Sequence, residues 1–185
     1  VVCGSGAAAA WAGSGTTAAW QEPKKWDVAD PTGPTTTLAF DTSEGTWMNV
    51  DVSPDGTQVV FDLLGDIYLV PIAGSGSPAR RLTSGPVFDM QPRFSPDGKR
   101  IAIASDRDGL WNIWTIDLDG KDARQISRER RWFVNSPTWS PDGKQLLFSR
   151  HVDEQIHLIR CDADGQNEER LFENQYPRMD AAVSP

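Results

Sequence analysis

The densest run of chemistry-bearing side chains in this 185-residue sequence is His151-Val152-Asp153-Glu154-Gln155-Ile156-His157, with two imidazoles and two carboxylates close together. A helical zinc site needs two histidines four residues apart, so that both reach one ion from the same face. Here they are six positions apart, in a stretch that the repeats below place in a loop between two strands, so a solvated loop is expected. Asp117-Leu118-Asp119-Gly120 and Asp162-Ala163-Asp164-Gly165 begin like a calcium loop. They lack the bidentate glutamate such a loop needs further on, and turn formation accounts for them better. GSGSP, Gly74 to Pro78, falls in a loop instead of the strand-to-helix corner that exposes a serine nucleophile. The two cysteines, Cys3 and Cys161, are too far apart in sequence for a metal motif and too few for a disulfide framework. Cys161 reads as a small buried hydrophobe. No catalytic residue, metal ligand or cofactor is therefore expected.

One cluster suits recognition. Arg128, Arg130, Arg131 and Trp132 lie together in SRERRWFVN, and arginine and tryptophan are the residue types enriched at binding hot spots. The plainer reading is a connecting loop whose arginines pair with acidic neighbours. As a surface for a partner, this loop is the best the sequence offers.

The elements that would position these groups are set by a repeat. Ser53-Pro54-Asp55-Gly56 returns as Ser95-Pro96-Asp97-Gly98 and as Ser140-Pro141-Asp142-Gly143, and Val183-Ser184-Pro185 begins it again. The four prolines are 42, 45 and 44 residues apart, the period of one propeller blade. Proline preset for the second turn position and glycine free to take positive φ make each copy a tight turn between two strands. The strand before the turn is read as Trp47 to Ser53, Asp89 to Ser95 and Val134 to Ser140. The strand after it is nearly all apolar (Val59-Val60-Phe61, Ile101-Ala102-Ile103, Leu146-Leu147-Phe148), as an inner strand covered on both faces should be. A third strand aligns Ile67, Ile113 and Leu158, then Val70, Ile116 and Cys161. A short charged fourth strand (Ala79 to Thr83, Ala123 to Ser127, Glu168 to Phe172) faces water. The fold class expected is all-β, a β-propeller of four-stranded blades. About three blades are present where rings have four to eight, so the propeller is incomplete. Pro34 to Phe40, PTTTLAF, aligns with the fourth strands and reads as an orphan outer strand, with a disordered lead-in as the alternative.

The motif Ser-Pro-Asp-Gly-Lys before an apolar strand, with SDRDG and an Ile-Trp strand ending in DLDG, resembles the TolB-like propellers of bacterial envelope proteins. The segment from QEPKKWDVADPTG to DIYLVPIAG is more similar still to the propeller ahead of a metal-dependent amidohydrolase barrel in exported bacterial proteins. That resemblance implies a non-catalytic segment serving as an accessory N-terminal domain, positioning or restricting access to a downstream active site. The alternative is a periplasmic scaffold for protein interaction. The implied partner is a downstream catalytic domain or an envelope protein.

Composition fits this setting. A formal charge of -8 leaves no basic face for nucleic acid. Residues 1–25, rich in Ala, Gly, Ser and Thr, read as an export leader or disordered segment, with cleavage expected after Ala18, Ala19 or Trp20 and blades over residues 26–185. Periplasmic or secreted location follows, with no membrane span because no apolar run is long enough. Two open-ended arcs of three blades would make a ring of six, so a homodimer of the isolated segment is also expected.

Overall fold

The computed structural model describes Val28, residues 33–73 and residues 76–172. Among these, all regular structure is strand, in three antiparallel four-stranded sheets that follow one another along the chain. Blade 1 comprises β1 (Val50–Val52), β2 (Gln58–Leu63), β3 (Asp66–Pro71) and β4 (Arg80–Arg81). Blade 2 comprises β5 (Asp89–Phe94), β6 (Arg100–Ser105), β7 (Asn112–Asp117) and β8 (Arg124–Gln125). Blade 3 comprises β9 (Phe133–Trp139), β10 (Gln145–Val152), β11 (Gln155–Asp162) and β12 (Glu169–Arg170). In every sheet the strands pair in sequence order. The first strands lie inside, β1 against β5 and β5 against β9.

The three Ser-Pro-Asp-Gly turns share one hydrogen-bond pattern. The glycine N–H donates to the serine carbonyl at 2.8, 2.8 and 2.9 Å, and the glycines hold φ of 70°, 69° and 70°. Each serine hydroxyl donates to the aspartate at 2.6, 2.6 and 2.7 Å. It also accepts the N–H of Gln58, Arg100 or Gln145 at 2.9 Å. Each aspartate then accepts the N–H two residues on, at 3.0 to 3.1 Å. With their charged forms so solvated, Asp55, Asp97 and Asp142 titrate below the ordinary aspartate value of 3.8, chiefly through the serine. These residues are structural.

Successive blades meet face to face. Val60, Ile67, Leu69 and Leu82 of blade 1 form one apolar seam with Phe94, Ile101, Ile103 and Ile116 of blade 2. Ala102, Ala104, Ile113 and Ile126 of blade 2 form the next with Val134, Trp139, Leu146, Phe148, Ile159 and Cys161 of blade 3. Cys161 occupies its aliphatic column, and burial pushes its thiol pKa up to about 12, which leaves it inert as a nucleophile. The turn glycine after the third strand closes each seam. A β-carbon on Gly120 would lie 1.8 Å from the Leu82 carbonyl oxygen, and one on Gly165 would lie 2.3 Å from that of Ile126. DLDG and DADG are thus close-approach turns between blades.

By the same columns, blade 1 presents Val52, Val59, Phe61, Tyr68 and Val70 outward, and blade 3 presents Leu147, Leu158 and Leu171. None of these is fully buried. Phe61 and Tyr68 stack on each other at 5.5 Å, and residues 40–45 run along their edge. The sequence alignment makes 34–40 an outer strand, but this segment forms none, and Leu38 and Phe40 are 83% and 63% exposed. A fourth strand needs the third strand of its own blade to pair with, and no described residue supplies it. β1 is also shorter than read from the sequence. The Asn49 carbonyl still accepts the Asp62 N–H at 3.1 Å, but the Asn49 N–H goes to the Asp62 carboxylate at 2.8 Å instead of into the ladder, and Trp47 turns out to solvent at φ 60°. Residues 1–25, the expected domain start near Trp26, and Pro185 lie outside the described residues.

Candidate functional site

The blade ends differ. One carries the Ser-Pro-Asp-Gly turns. The other carries the turns between second and third strands and the crossovers between blades, including residues 126–132 from β8 to β9. This crossover is anchored by Asn112, the first residue of β7, which is fully buried. The Asn112 Oδ1 accepts the Ser127 hydroxyl at 2.8 Å and the Glu129 N–H at 2.7 Å, while its Nδ2 donates to the Glu129 carbonyl at 3.3 Å. Ser127 Oγ in turn accepts the Ile113 N–H at 2.8 Å. A buried amide that satisfies three loop groups holds the backbone of the crossover in place.

Glu129 has the nearest carboxylate in sequence to Arg128 and Arg130, and the plain reading pairs it with them. The structure turns it inward instead. Its side chain, 11% exposed, pairs with Arg150 of β10, which also reaches Glu168 at 2.6 Å. Burial raises the Glu129 pKa above its ordinary 4.5, with Glu168 adding to the rise and Arg150 opposing it. Arg128, Arg130 and Arg131 remain exposed, and none makes an ion pair or hydrogen bond with a described residue. Arg131 stacks on Trp132 with its guanidinium 4.4 Å from the ring centre. Arg128 and Arg130 border an open cleft of about 660 Å³, with Asp108, Gly109, Leu110 and Gln125 on its other side. Asp108 accepts from the side-chain amides of Gln125 at 2.6 Å and Asn112 at 3.2 Å.

The same end carries a feature the sequence reading missed. Phe88, Trp111, Phe133 and His151 meet edge to face at 5.8, 5.4 and 5.2 Å, making an aromatic row across the seam between blades 2 and 3. Trp111 stands in this row and also packs against the seam between blades 2 and 3; Trp139 is buried in that seam, its Nε1 donating to the Arg93 carbonyl at 3.2 Å. The signal was present as aromatic residues beside the strand ends of successive repeats.

The histidine stretch is not a loop. β10 and β11 extend through it, pairing Arg150 with His157 and His151 with Ile156 around a turn at Asp153 and Glu154. Directly opposed residues share a sheet face and neighbours alternate, so the two imidazoles lie on opposite faces. His151 contacts Asn135 Oδ1 and His157 contacts Gln155 Oε1, each at 3.2 Å. Among the described residues, no three His, Cys, Asp or Glu side chains converge as a metal site. No helix of the described residues is long and apolar enough to cross a membrane.

Four-stranded blades of this kind, stacked face to face in chain order, define a β-propeller. Residues 38–185 match the TolB beta propeller domain family, and the chain belongs to it. A stretch of 60 residues is 48% identical to the Tol-Pal system protein TolB of Bordetella pertussis, covering 32% of this chain and 14% of that protein. The solved structure of a putative TolB from Agrobacterium tumefaciens superposes with a TM-score of 0.63 at 26% identity, over 70% of this chain and 50% of that one. A puromycin hydrolase structure superposes at 0.55 with 19% identity, over 68% of this chain and 22% of that one, a likeness of fold alone. The chain thus spans half or less of the relatives it matches.

Proposed function

We propose that this chain is a binding module of an exported bacterial protein, itself without catalysis. One observation carries the reading. A crossover is pinned by a fully buried asparagine and an inward-turned glutamate, so that three exposed arginines and a half-buried tryptophan sit on a fixed backbone. Rigid support under hot-spot residue types is what recognition requires. Similarity to Tol-Pal TolB supports a periplasmic scaffold for an envelope protein. The first repeat's resemblance to amidohydrolase-associated propellers supports the second form, an accessory N-terminal domain that positions or restricts access to a metal-dependent active site.

Recovery of the native polypeptide with an antibody against this segment, followed by peptide sequencing, tests both forms. Peptides carrying a His-x-His pair, with amide hydrolysis abolished by chelation, support the hydrolase form. A polypeptide of propeller sequence that crosslinks to an envelope protein supports the scaffold. Hydrolysis by the 185-residue segment alone contradicts both.

A further inference from the structure

The binding reading, on which this inference rests, leaves the partner's chemistry open, and the arginines narrow it. Every other described arginine is engaged. Arg80, Arg81, Arg100, Arg107, Arg124, Arg150 and Arg160 pair with carboxylates. Arg93 and Arg170 donate to backbone carbonyls. The three arginines without a polar partner among the described residues are Arg128, Arg130 and Arg131, all in one crossover, in a chain whose net charge is -8. Their nearest carboxylate in sequence has been diverted to Arg150. The cleft that Arg128 and Arg130 border also holds two carboxylates, Asp108, which accepts from Gln125 and Asn112, and Glu129, which pairs with Arg150. What the site has to spare is therefore guanidinium N–H donors.

We infer that the Arg128–Trp132 crossover binds an acidic peptide segment of a partner protein. Carboxylates would dock between Arg128 and Arg130 along the cleft, and Trp132 with its stacked Arg131 would supply the neighbouring contact. Guanidinium forks match carboxylates bidentately, and such charge-assisted bonds are among the stronger ones. A nucleic acid would carry its charge along a backbone that the acidic remainder of the surface repels.

The test is fluorescence anisotropy of labelled octaglutamate against the 185-residue chain, with octaglutamine and an oligodeoxythymidine of equal charge as controls. Binding of octaglutamate alone, weakening as salt rises, is expected. The double variant R128Q/R130Q should lose on the order of tenfold or more, as expected for charged hydrogen bonds. The variant R80Q/R124Q, which removes arginines elsewhere on the surface, should bind as the parent does. Both pairs are solvent-exposed, and circular dichroism verifies that each variant folds. No octaglutamate binding, equal loss in both variants, or equal affinity for the oligonucleotide would overturn the inference. A segment that neither hydrolyses amides nor binds the peptide would refute this assignment and leave the module reading standing.

Discussion

The turn aspartates and the buried carboxylates respond to pH in opposite directions. Asp55, Asp97 and Asp142 are depressed below 3.8 in the fold, so the stability they contribute is present above that value and is lost as pH falls through their lowered pKa values. Asp66 and Glu129 are raised, each chiefly by burial and against a paired arginine. Their contribution is present below the ordinary carboxylate values and is lost as pH rises through the raised ones. Thermal melts should therefore show stability holding or rising from neutral pH toward 4.5 and falling below 3.8. A monotonic fall from neutral pH would contradict these assignments. Glycines offer a sharper comparison. Gly56 at φ 70° has open space around its would-be β-carbon, so Gly56→Ala should cost only the left-handed conformation, about 1–2 kcal/mol. Gly120→Ala adds a clash with the Leu82 backbone and should cost clearly more, about 3 kcal/mol or above, by urea denaturation.

At the scale of strands, the repeat made most of the fold legible. Turn, apolar second strand and aligned third strand recur at a fixed period, and each recurrence maps to a strand pair. What escaped depends on contacts between blades. β5 and β9 each carry a bulge, at Gln91 and Ser136, with φ of 55° and 53°. The Gln91 N–H is taken by Asp62 of the preceding blade at 2.7 Å, and the Ser136 N–H by Gln91 Oε1 at 2.7 Å. Neither partner is local in sequence, and the three equivalents Asp62, Ala104 and Ser149 are unlike, so no pattern announced them. Asp62→Ala should strand the N–H groups of Asn49 and Gln91 and cost about 2–4 kcal/mol, with faster amide exchange at both. Unchanged exchange there would refute the link. The candidate site was half legible for the same reason. Arg128 to Trp132 stood out by composition, whereas the diversion of Glu129 to Arg150 is a contact across strands that a linear reading pairs wrongly.

For the whole molecule, the open faces decide behaviour. The outward columns of blade 1 and blade 3 are the same columns that meet in both internal seams, so the two ends of the arc are complementary. Large apolar sheet faces are not left in water by well-behaved monomers, and two arcs joined head to tail at both ends make a closed ring. The isolated chain is thus expected to dimerise through Val52, Val59, Phe61 and Tyr68 of one copy against Leu147, Leu158 and Leu171 of the other. Light scattering coupled to size exclusion at low micromolar concentration tests most directly whether residues 33–172 form a three-blade arc with two unsatisfied seams. Twice the 20.4 kDa chain mass is expected, reverting toward one on Phe61→Glu. A compact 20.4 kDa monomer that unfolds cooperatively would contradict it.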